Sequence, residues 1–190
     1  MKRIVILAGA LLLSSLSFSA RTDNNANAEL TNIIGSYYKN DSISLDVKSK
    51  KTSGSTNDSA AATRSSVRDQ IIDFASKKLG SPYVWGATGP NSFDCSGFVG
   101  YVFKKTANLN LPRVSSSQAT FKPKISSMNM KKGDLVFFAT TGKGRISHVG
   151  IYMGNRQFIH ASSGSKRVTV SSLDSSYYSK TFRWAIDPFS

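Results

Sequence analysis

The chain has 190 residues, and its 25 lysine and arginine residues against 11 acidic residues give a formal net charge of +14 at pH 7. This length accommodates one domain with extensions rather than a multidomain protein. The single cysteine excludes an intramolecular disulfide framework. The excess of positive charge indicates a solvated basic surface, and attraction to polyanions is the functional alternative.

The N-terminus has the layout of a secretory signal peptide. Met1-Lys2-Arg3 is positively charged, and residues 4–13 form an apolar run that is shorter than the ~20 residues of a membrane-spanning helix. Ser17 and Ser19 suit cleavage after residue 19, with Ala26-Asn27-Ala28 as the second choice, and a retained membrane anchor is the alternative. We therefore expect an exported protein of the periplasm or the exterior that has no stable membrane insertion. Its expected electrostatic partners are anionic envelope polymers and not nucleic acid.

Residues 20–65 are dominated by Asn, Ser, Thr, Asp, Lys and Ala. Since such a segment buries too little apolar surface to offset its ordering entropy, we predict a largely disordered tether. The folded domain is predicted to span residues 66–190. Its first element is an amphipathic helix that starts at the capping pattern of Ser66 and Asp69 and ends at Gly80.

The stretch around the only cysteine predicts a loop followed by a helix. Proline and glycine punctuate residues 82–90, and apolar residues recur at helical spacing after Ser96. Cys95 therefore lies at a helix N-terminus, where unpaired backbone N–H groups and the macrodipole favour the thiolate form. A thiolate is a nucleophile, whereas the alternative is an inert buried cysteine.

Three short runs of β-prone residues follow, at 135–138, 146–153 and 157–162. The last two are joined by a turn and form a hairpin. The only two histidines of the chain, His148 and His160, lie on its two arms.

The register of this hairpin decides whether the histidines can interact. A two-residue loop places them on opposite faces because side chains alternate along a strand. A three-residue loop, or a bulge that adds one residue, pairs Tyr152 with Arg156 and places His148 directly opposite His160. In that register the apolar residues of both strands share the other face, so we predict neighbouring imidazoles. The apolar residues are Val149, Ile151, Ile159 and Ala161.

Thiol catalysis requires a nucleophile, a base and a group that orients the base. Cys95, His148 and His160 fill these roles in that order. A zinc site is the competing interpretation of one cysteine with two histidines. Structural zinc sites usually take four protein ligands in spaced pairs, and these pairs are absent from the sequence. We therefore expect no metal and no cofactor.

Six segments resemble, in order, the motifs of the NlpC-type cell-wall cysteine peptidases. They are residues 81–86, 94–99, 111–113, 132–138, 148–154 and 158–162. The resemblance covers nearly all of residues 66–190. It implies a papain-like α+β domain in which N-terminal helices pack on a small antiparallel β-sheet and the nucleophile begins a helix.

The resemblance also implies an activity and further site residues. It implies hydrolysis of a peptide bond in peptidoglycan stem peptides, at either the D-glutamyl–diaminopimelate bond or the D-alanyl–diaminopimelate cross-link. It gives the cysteine and the two histidines the roles stated above. Tyr83 is implied to lie beside the oxyanion, and Asp94 and Ser96 match positions that bind the free amine of a stem peptide in some members. Core packing of Tyr83 and helix capping by Asp94 are the alternative interpretations.

Two alternatives remain open for the activity, and we expect a monomer in each case. One is an amidase or acyltransferase of the same fold that acts on a substrate outside the wall. The other is a catalytically inactive module that binds the wall, which needs none of the three catalytic side chains.

Overall fold

The computed structural model describes residues 56–142 and 144–190. The predicted signal peptide and residues 20–55 of the predicted tether lie outside the described residues. The helices are α1 (Thr56–Ser76), α2 (Cys95–Ala107), α3 (Ser115–Gln118) and α4 (Ser176–Thr181), with one 3-10 turn at Ser127–Asn129. The strands are β1 (Lys124–Ile125), β2 (Leu135–Phe138), β3 (His148–Gly154), β4 (Gln157–Ser162), β5 (Arg167–Ser172) and β6 (Phe182–Ile186).

Helix α1 begins ten residues earlier than predicted, because Thr56 and not Ser66 is its first residue. The predicted helix start is therefore wrong. Alanines at positions 60–62 favour helix, so the helix continues beyond the part that packs, and residues 62–66 are exposed. The chain leaves the helix through Gly80 at a φ of +82°, close to the predicted end. The boundary of the peptidase domain at residue 66 stays a prediction.

The six strands form one sheet in the order β1-β6-β2-β3-β4-β5, and every neighbouring pair is antiparallel. Helix α2 packs on β3 and β4, and α1 packs on α2. The predicted inward residues of β3 and β4 are fully buried. This arrangement of helices on an antiparallel sheet confirms the predicted α+β papain-like fold.

The opposite face of the sheet is covered as well. A buried cluster on this face comprises Val136, Phe138, Tyr152, Phe158, Leu173 and Ala185. Tyr178 of α4 and Phe182 pack against it. Strands β3 and β4 are thus buried on both faces, so the side chains of both histidines lie in the interior. None of the helices in the described part of the chain is long and apolar enough to cross a membrane.

The hairpin of β3 and β4 has a two-residue loop and a bulge. Asn155 and Arg156 both have positive φ values, 48° and 58°, as a type I′ turn requires. The register shifts between Tyr152 and Gly154, and Tyr152 pairs with Phe158. The predicted pairing of Tyr152 with Arg156 is therefore wrong, because the extra residue lies in β3 and not in the loop.

The bulge nevertheless preserves the predicted face. It reverses the side-chain alternation that a two-residue loop alone would impose, so His148 and His160 point to the same side of the sheet. The register differs from the predicted one by two residues. His148 and His160 are consequently diagonal neighbours, and the prediction that they lie directly opposite each other is wrong.

Candidate active site

Cys95 is the first residue of α2, as the sequence predicts. Asp94 is the N-cap in extended backbone conformation, and its carboxylate accepts a hydrogen bond of 2.7 Å from the Gly97 amide. The preceding loop is held against the helix, since the Asp94 amide donates to the Ala87 carbonyl at 2.8 Å. A Cβ at Gly97 would lie 2.2 Å from that carbonyl oxygen, so only glycine fits there. The cap and the loop together fix the position of the thiol.

The thiol is nearly buried, with an exposed fraction of 8% for Cys95. The backbone N–H groups of Cys95, Ser96 and Val149 approach the sulfur. Because Val149 directly follows His148 in the chain, the thiol lies beside the start of β3. The structure thus brings the predicted nucleophile to the strand that carries the predicted base.

Burial raises the pKa of the Cys95 thiol above its ordinary value, and the charge of Asp94 raises it further. The backbone N–H groups lower the pKa but do not compensate. The predicted shift towards thiolate at the helix N-terminus is therefore wrong for the resting protein. Desolvation of the charged form outweighs the helix terminus, and the side chain is a neutral thiol at pH 7.

The two imidazoles are in direct contact. His148 Nε2 lies 2.7 Å from His160 Nδ1, and the ring planes are inclined at 83°. His160 Nε2 lies in turn 2.9 Å from the Ser171 hydroxyl. Since Nε2 of His148 is engaged by His160, Nδ1 is the nitrogen of His148 that remains available to accept a proton.

Burial lowers the pKa of His148 to about 4. The pKa of His160 lies well below its ordinary value, first because it is buried and second because His148 is close. Both imidazoles are therefore neutral at pH 7, and a neutral His148 can accept a proton. Within the described residues, no group of three or more histidine, cysteine or acidic side chains is arranged to hold a metal ion.

Gly150 makes room for this contact. Extending the register by one residue from the pair of Ile151 and Ile159 places Gly150 opposite His160. A Cβ at Gly150 would lie 2.6 Å from the ring of Phe158 and 3.2 Å from the Cβ of His160. The diagonal reach of His148 towards His160 depends on this missing side chain.

The structure places Tyr83 at the same site. Burial raises the pKa of the Tyr83 hydroxyl, and the charges of Cys95 and Asp94 raise it further, so the hydroxyl lies near both groups. It is protonated at neutral pH and can donate a hydrogen bond. The backbone of Tyr83 is fixed by a 2.9 Å hydrogen bond to the Lys166 carbonyl. The backbone of Tyr83 also pairs with Phe93, two residues before Cys95, so Tyr83 lies beside the segment that carries the thiol.

Arg113 is a site residue for which the sequence analysis gives no role. Its guanidinium lies 2.6 Å and 3.1 Å from the two carboxylate oxygens of Asp94, and 3.1 Å from the Ser96 hydroxyl. It also donates to the Gly86 carbonyl at 2.9 Å. Asp94 and Ser96 are thus engaged within the protein, and their role in binding an amine stays a prediction. Arg113 lies in one of the recognised motifs, but its spacing of 19 residues from Asp94 gives no sign of this contact.

Gln118 is a second residue that the sequence analysis misses. It is fully buried in α3, and its amide donates to the carbonyls of Ser96 and Pro112 at 3.1 Å and 2.8 Å. It therefore ties the start of α2 to the segment that carries Arg113. In the sequence Gln118 directly follows the three serines 115–117, and this polar run gives no sign of either contact.

Comparison with known proteins identifies the family. The sequence profile described as the NlpC/P60 family matches residues 80–186. The "Probable endopeptidase NlpC homolog" of Haemophilus influenzae is 34% identical over 191 residues, which covers 96% of each chain. The "Gamma-DL-glutamyl hydrolase" of Bacillus subtilis is 43% identical over 109 residues. That match covers 57% of this chain and 26% of the hydrolase.

A solved structure shows the same fold. The crystal structure of the NlpC/p60 domain of the peptidoglycan hydrolase SagA matches with a TM-score of 0.56 and 33% identity, over 63% of this chain and 97% of that domain. The chain thus spans almost all of the Haemophilus protein but about a quarter of the Bacillus hydrolase. The profile match and the full-length relative show that this chain belongs to the NlpC/P60 family and is a hydrolase of the cysteine peptidase class.

Proposed function

We propose that this protein is a peptidoglycan endopeptidase in which Cys95 is the nucleophile, His148 the general base and His160 the group that orients the base. The observation that carries the proposal is the 2.7 Å contact of His148 on β3 with His160 on β4, together with the approach of the Val149 amide, next to His148, to the thiol. Family membership supports it, and so do the relatives named as an endopeptidase and a peptidoglycan hydrolase.

One observation favours the D-glutamyl–diaminopimelate bond over the D-alanyl–diaminopimelate cross-link as the bond that is cleaved. The relative from Bacillus subtilis is named as a gamma-DL-glutamyl hydrolase, and D-glutamate is γ-linked in stem peptides.

The first half of the reaction forms an acyl-enzyme. His148 Nδ1 takes the proton of the Cys95 thiol as the sulfur attacks the scissile carbonyl. The oxyanion is held by the hydroxyl of Tyr83 and the backbone N–H of Cys95. His160 accepts the Nε2–H of the imidazolium. His148 then gives its proton to the leaving amine, and the carbon–nitrogen bond breaks.

The second half releases the acyl group to water. A water molecule gives a proton to His148 Nδ1 and attacks the thioester carbonyl, and the same donors hold the second oxyanion. The carbon–sulfur bond breaks, the thiolate recovers a proton from His148, and the product leaves as a carboxylic acid.

The test is digestion of purified peptidoglycan sacculi by the wild-type protein and by Cys95→Ala, with mass analysis of the products. We expect cleavage by the wild type only, and no cleavage after alkylation of the single thiol. Cleavage of the D-glutamyl–diaminopimelate bond leaves L-alanyl-D-glutamate on the glycan. Cleavage of the D-alanyl–diaminopimelate cross-link leaves the stem peptides intact. Equal cleavage by both proteins would refute the role of Cys95. Binding of sacculi without cleavage by either would favour the inactive wall-binding module.

We also propose that the protein is exported and acts on the wall as a monomer. Residues 1–19, which carry the predicted signal, lie outside the described residues. N-terminal sequencing of the protein recovered from the envelope tests the cleavage after residue 19. A protein that retains Met1 in that fraction would contradict it.

A further inference from the structure

We propose that Ser171 is a positioning residue that accepts a hydrogen bond from Nε2–H of His160 and thereby holds His148 in the tautomer that can act as a base. The proposal rests on the proposed function. Its structural basis is the 2.9 Å distance between the Ser171 hydroxyl and His160 Nε2. Ser171 lies on β5 and is a diagonal neighbour of His160, which pairs with Thr169.

The argument follows from the donors and acceptors of neutral imidazole, which has one N–H and one bare nitrogen. His148 can accept the thiol proton only if Nδ1 is bare, so its own proton must be on Nε2. That proton then points at Nδ1 of His160, 2.7 Å away, which must be bare as well. The proton of His160 is consequently on Nε2 and needs an acceptor, and Ser171 is placed to be that acceptor.

If the same hydrogen bonds run in the opposite direction, His148 cannot act as a base. If the Ser171 hydroxyl donates to His160 Nε2, the proton of His160 moves to Nδ1 and donates to His148 Nε2. The single proton of neutral His148 is then on Nδ1, the nitrogen that must be bare for His148 to accept the thiol proton. The role of the Ser171 hydroxyl, as acceptor or donor, therefore selects between a competent and an incompetent base.

The polar groups beyond Ser171 can absorb its proton. The Tyr178 hydroxyl lies close enough to the hydroxyls of Ser171 and Ser162 for them to lower its pKa, and it lies 3.5 Å from His160 Nε2. Ser171 can therefore donate to Tyr178 while Tyr178 donates to Ser162, which is nearly buried. Ser171 and Tyr178 then each donate to a neighbouring hydroxyl, and the hydrogen bonds of this chain all run away from His148. Such aligned chains strengthen each bond cooperatively.

The first measurement is nitrogen NMR of the wild-type protein with ¹⁵N-labelled histidine. Only two imidazoles are present, so the four ring nitrogens can be assigned with the variants His148→Gln and His160→Gln. We expect protonated Nε2 and bare Nδ1 in both rings at pH 7. A protonated Nδ1 on His160 overturns the proposal without reference to any activity.

The second measurement compares variants on sacculi and by the same NMR signals. Ser171→Ala removes the acceptor, and we expect kcat to fall about 10- to 100-fold with KM unchanged. A loss of this size is typical when a hydrogen-bond partner that orients a metal-binding histidine is removed. Ser171→Thr keeps the hydroxyl and should restore kcat to within about threefold of the wild type. Thr169→Val is the matched control, because Thr169 faces His160 across the strands but donates to the Val170 carbonyl. It should leave both kcat and the NMR signals unchanged.

Tyr178→Phe provides an independent arm if Ser171→Ala does not fold. It removes the group that takes the Ser171 proton, so the Nδ1-protonated form of His160 should become detectable and kcat should fall. A loss of kcat in Ser171→Ala or Tyr178→Phe without a change of tautomer would overturn the proposal, and so would an equal loss in Thr169→Val. If the wild type hydrolyses no sacculi, the proposed function fails, while the NMR result still decides the direction of the hydrogen bonds.

Discussion

Replacement of Gly150 by alanine tests whether the contact of the two imidazoles depends on the missing side chain between them. The backbone of Gly150 does not have positive φ, so alanine adopts its conformation without strain. The new Cβ would lie 2.6 Å from Cδ2 of Phe158, about 1 Å closer than a normal carbon–carbon contact. One of the two groups must therefore move.

The ring of Phe158 cannot move freely. It is fully buried, and its centroid lies 4.8 Å from that of Phe138, 4.9 Å from Tyr178 and 4.7 Å from His160. Overpacking of this kind costs about 1–3 kcal/mol. A displacement of about 1 Å passed on to His160 would break its 2.7 Å contact with His148. Since misplacement on this scale costs about 100-fold in rate, we expect a similar loss of kcat.

Urea unfolding measures the free energy of unfolding, and digestion of sacculi measures kcat. Gly100→Ala is the matched control, because a Cβ there meets nothing within 4 Å and the residue lies inside α2. This control should gain about 0.5–1 kcal/mol in stability and keep full activity. A Gly150→Ala protein that is as stable and as active as the wild type would refute the steric reasoning.

Three further predictions follow from buried charges and the cap. Arg68→Met leaves the buried carboxylate of Asp134 without its 2.7 Å partner and should lower the free energy of unfolding by about 3–5 kcal/mol, with activity per folded molecule retained; urea unfolding would contradict this if the loss were below 1 kcal/mol. Asp94→Ala removes the cap of α2 and should cost about 1–2 kcal/mol of stability as well as activity; calorimetry that shows no change in stability would disprove the capping role. Burial lowers the pKa of His148 from 6.5 to about 4, so as the pH falls the unfolded chain is protonated at this histidine before the folded chain is. About 3 kcal/mol of the free energy of unfolding, present above pH 6.5, should therefore be lost as the pH falls to 4. In His148→Gln, unfolding curves recorded between pH 7 and 4 should lose that part of the dependence.

The sequence predicts those parts of the site that depend on local patterns. The position of Cys95 follows from a glycine- and proline-rich loop that meets an apolar helical stripe, and both signals lie within about ten residues of it. The shared face of His148 and His160 follows from the alternation of apolar residues on two adjacent strands. Burial of one face specifies this alternation strongly, so it survives an error of two residues in the register.

The sequence does not predict what depends on the third dimension. The extra residue of the hairpin lies at Met153 and not in the loop, and the sequence cannot distinguish the two because both give the same alternation of apolar residues. The ion pair of Arg113 with Asp94 joins residues 19 positions apart across a loop. The start of α1 at Thr56 lies in a polar stretch with no apolar stripe to mark it.

The pKa of the thiol shows how the tertiary environment can reverse a local rule. Helix termini favour a thiolate at Cys95, but burial and Asp94 favour the thiol, and burial also favours neutral His148. Both partners are thus stabilised in their uncharged forms, so in the proposed mechanism the thiolate–imidazolium pair forms only as the sulfur attacks. The backbone N–H groups that approach the sulfur, and the proposed acceptors His160 and Ser171, lie where those two charges would develop. Desolvation strengthens these preorganised interactions in the transition state, so the burial that keeps the resting pair neutral also supports its reaction.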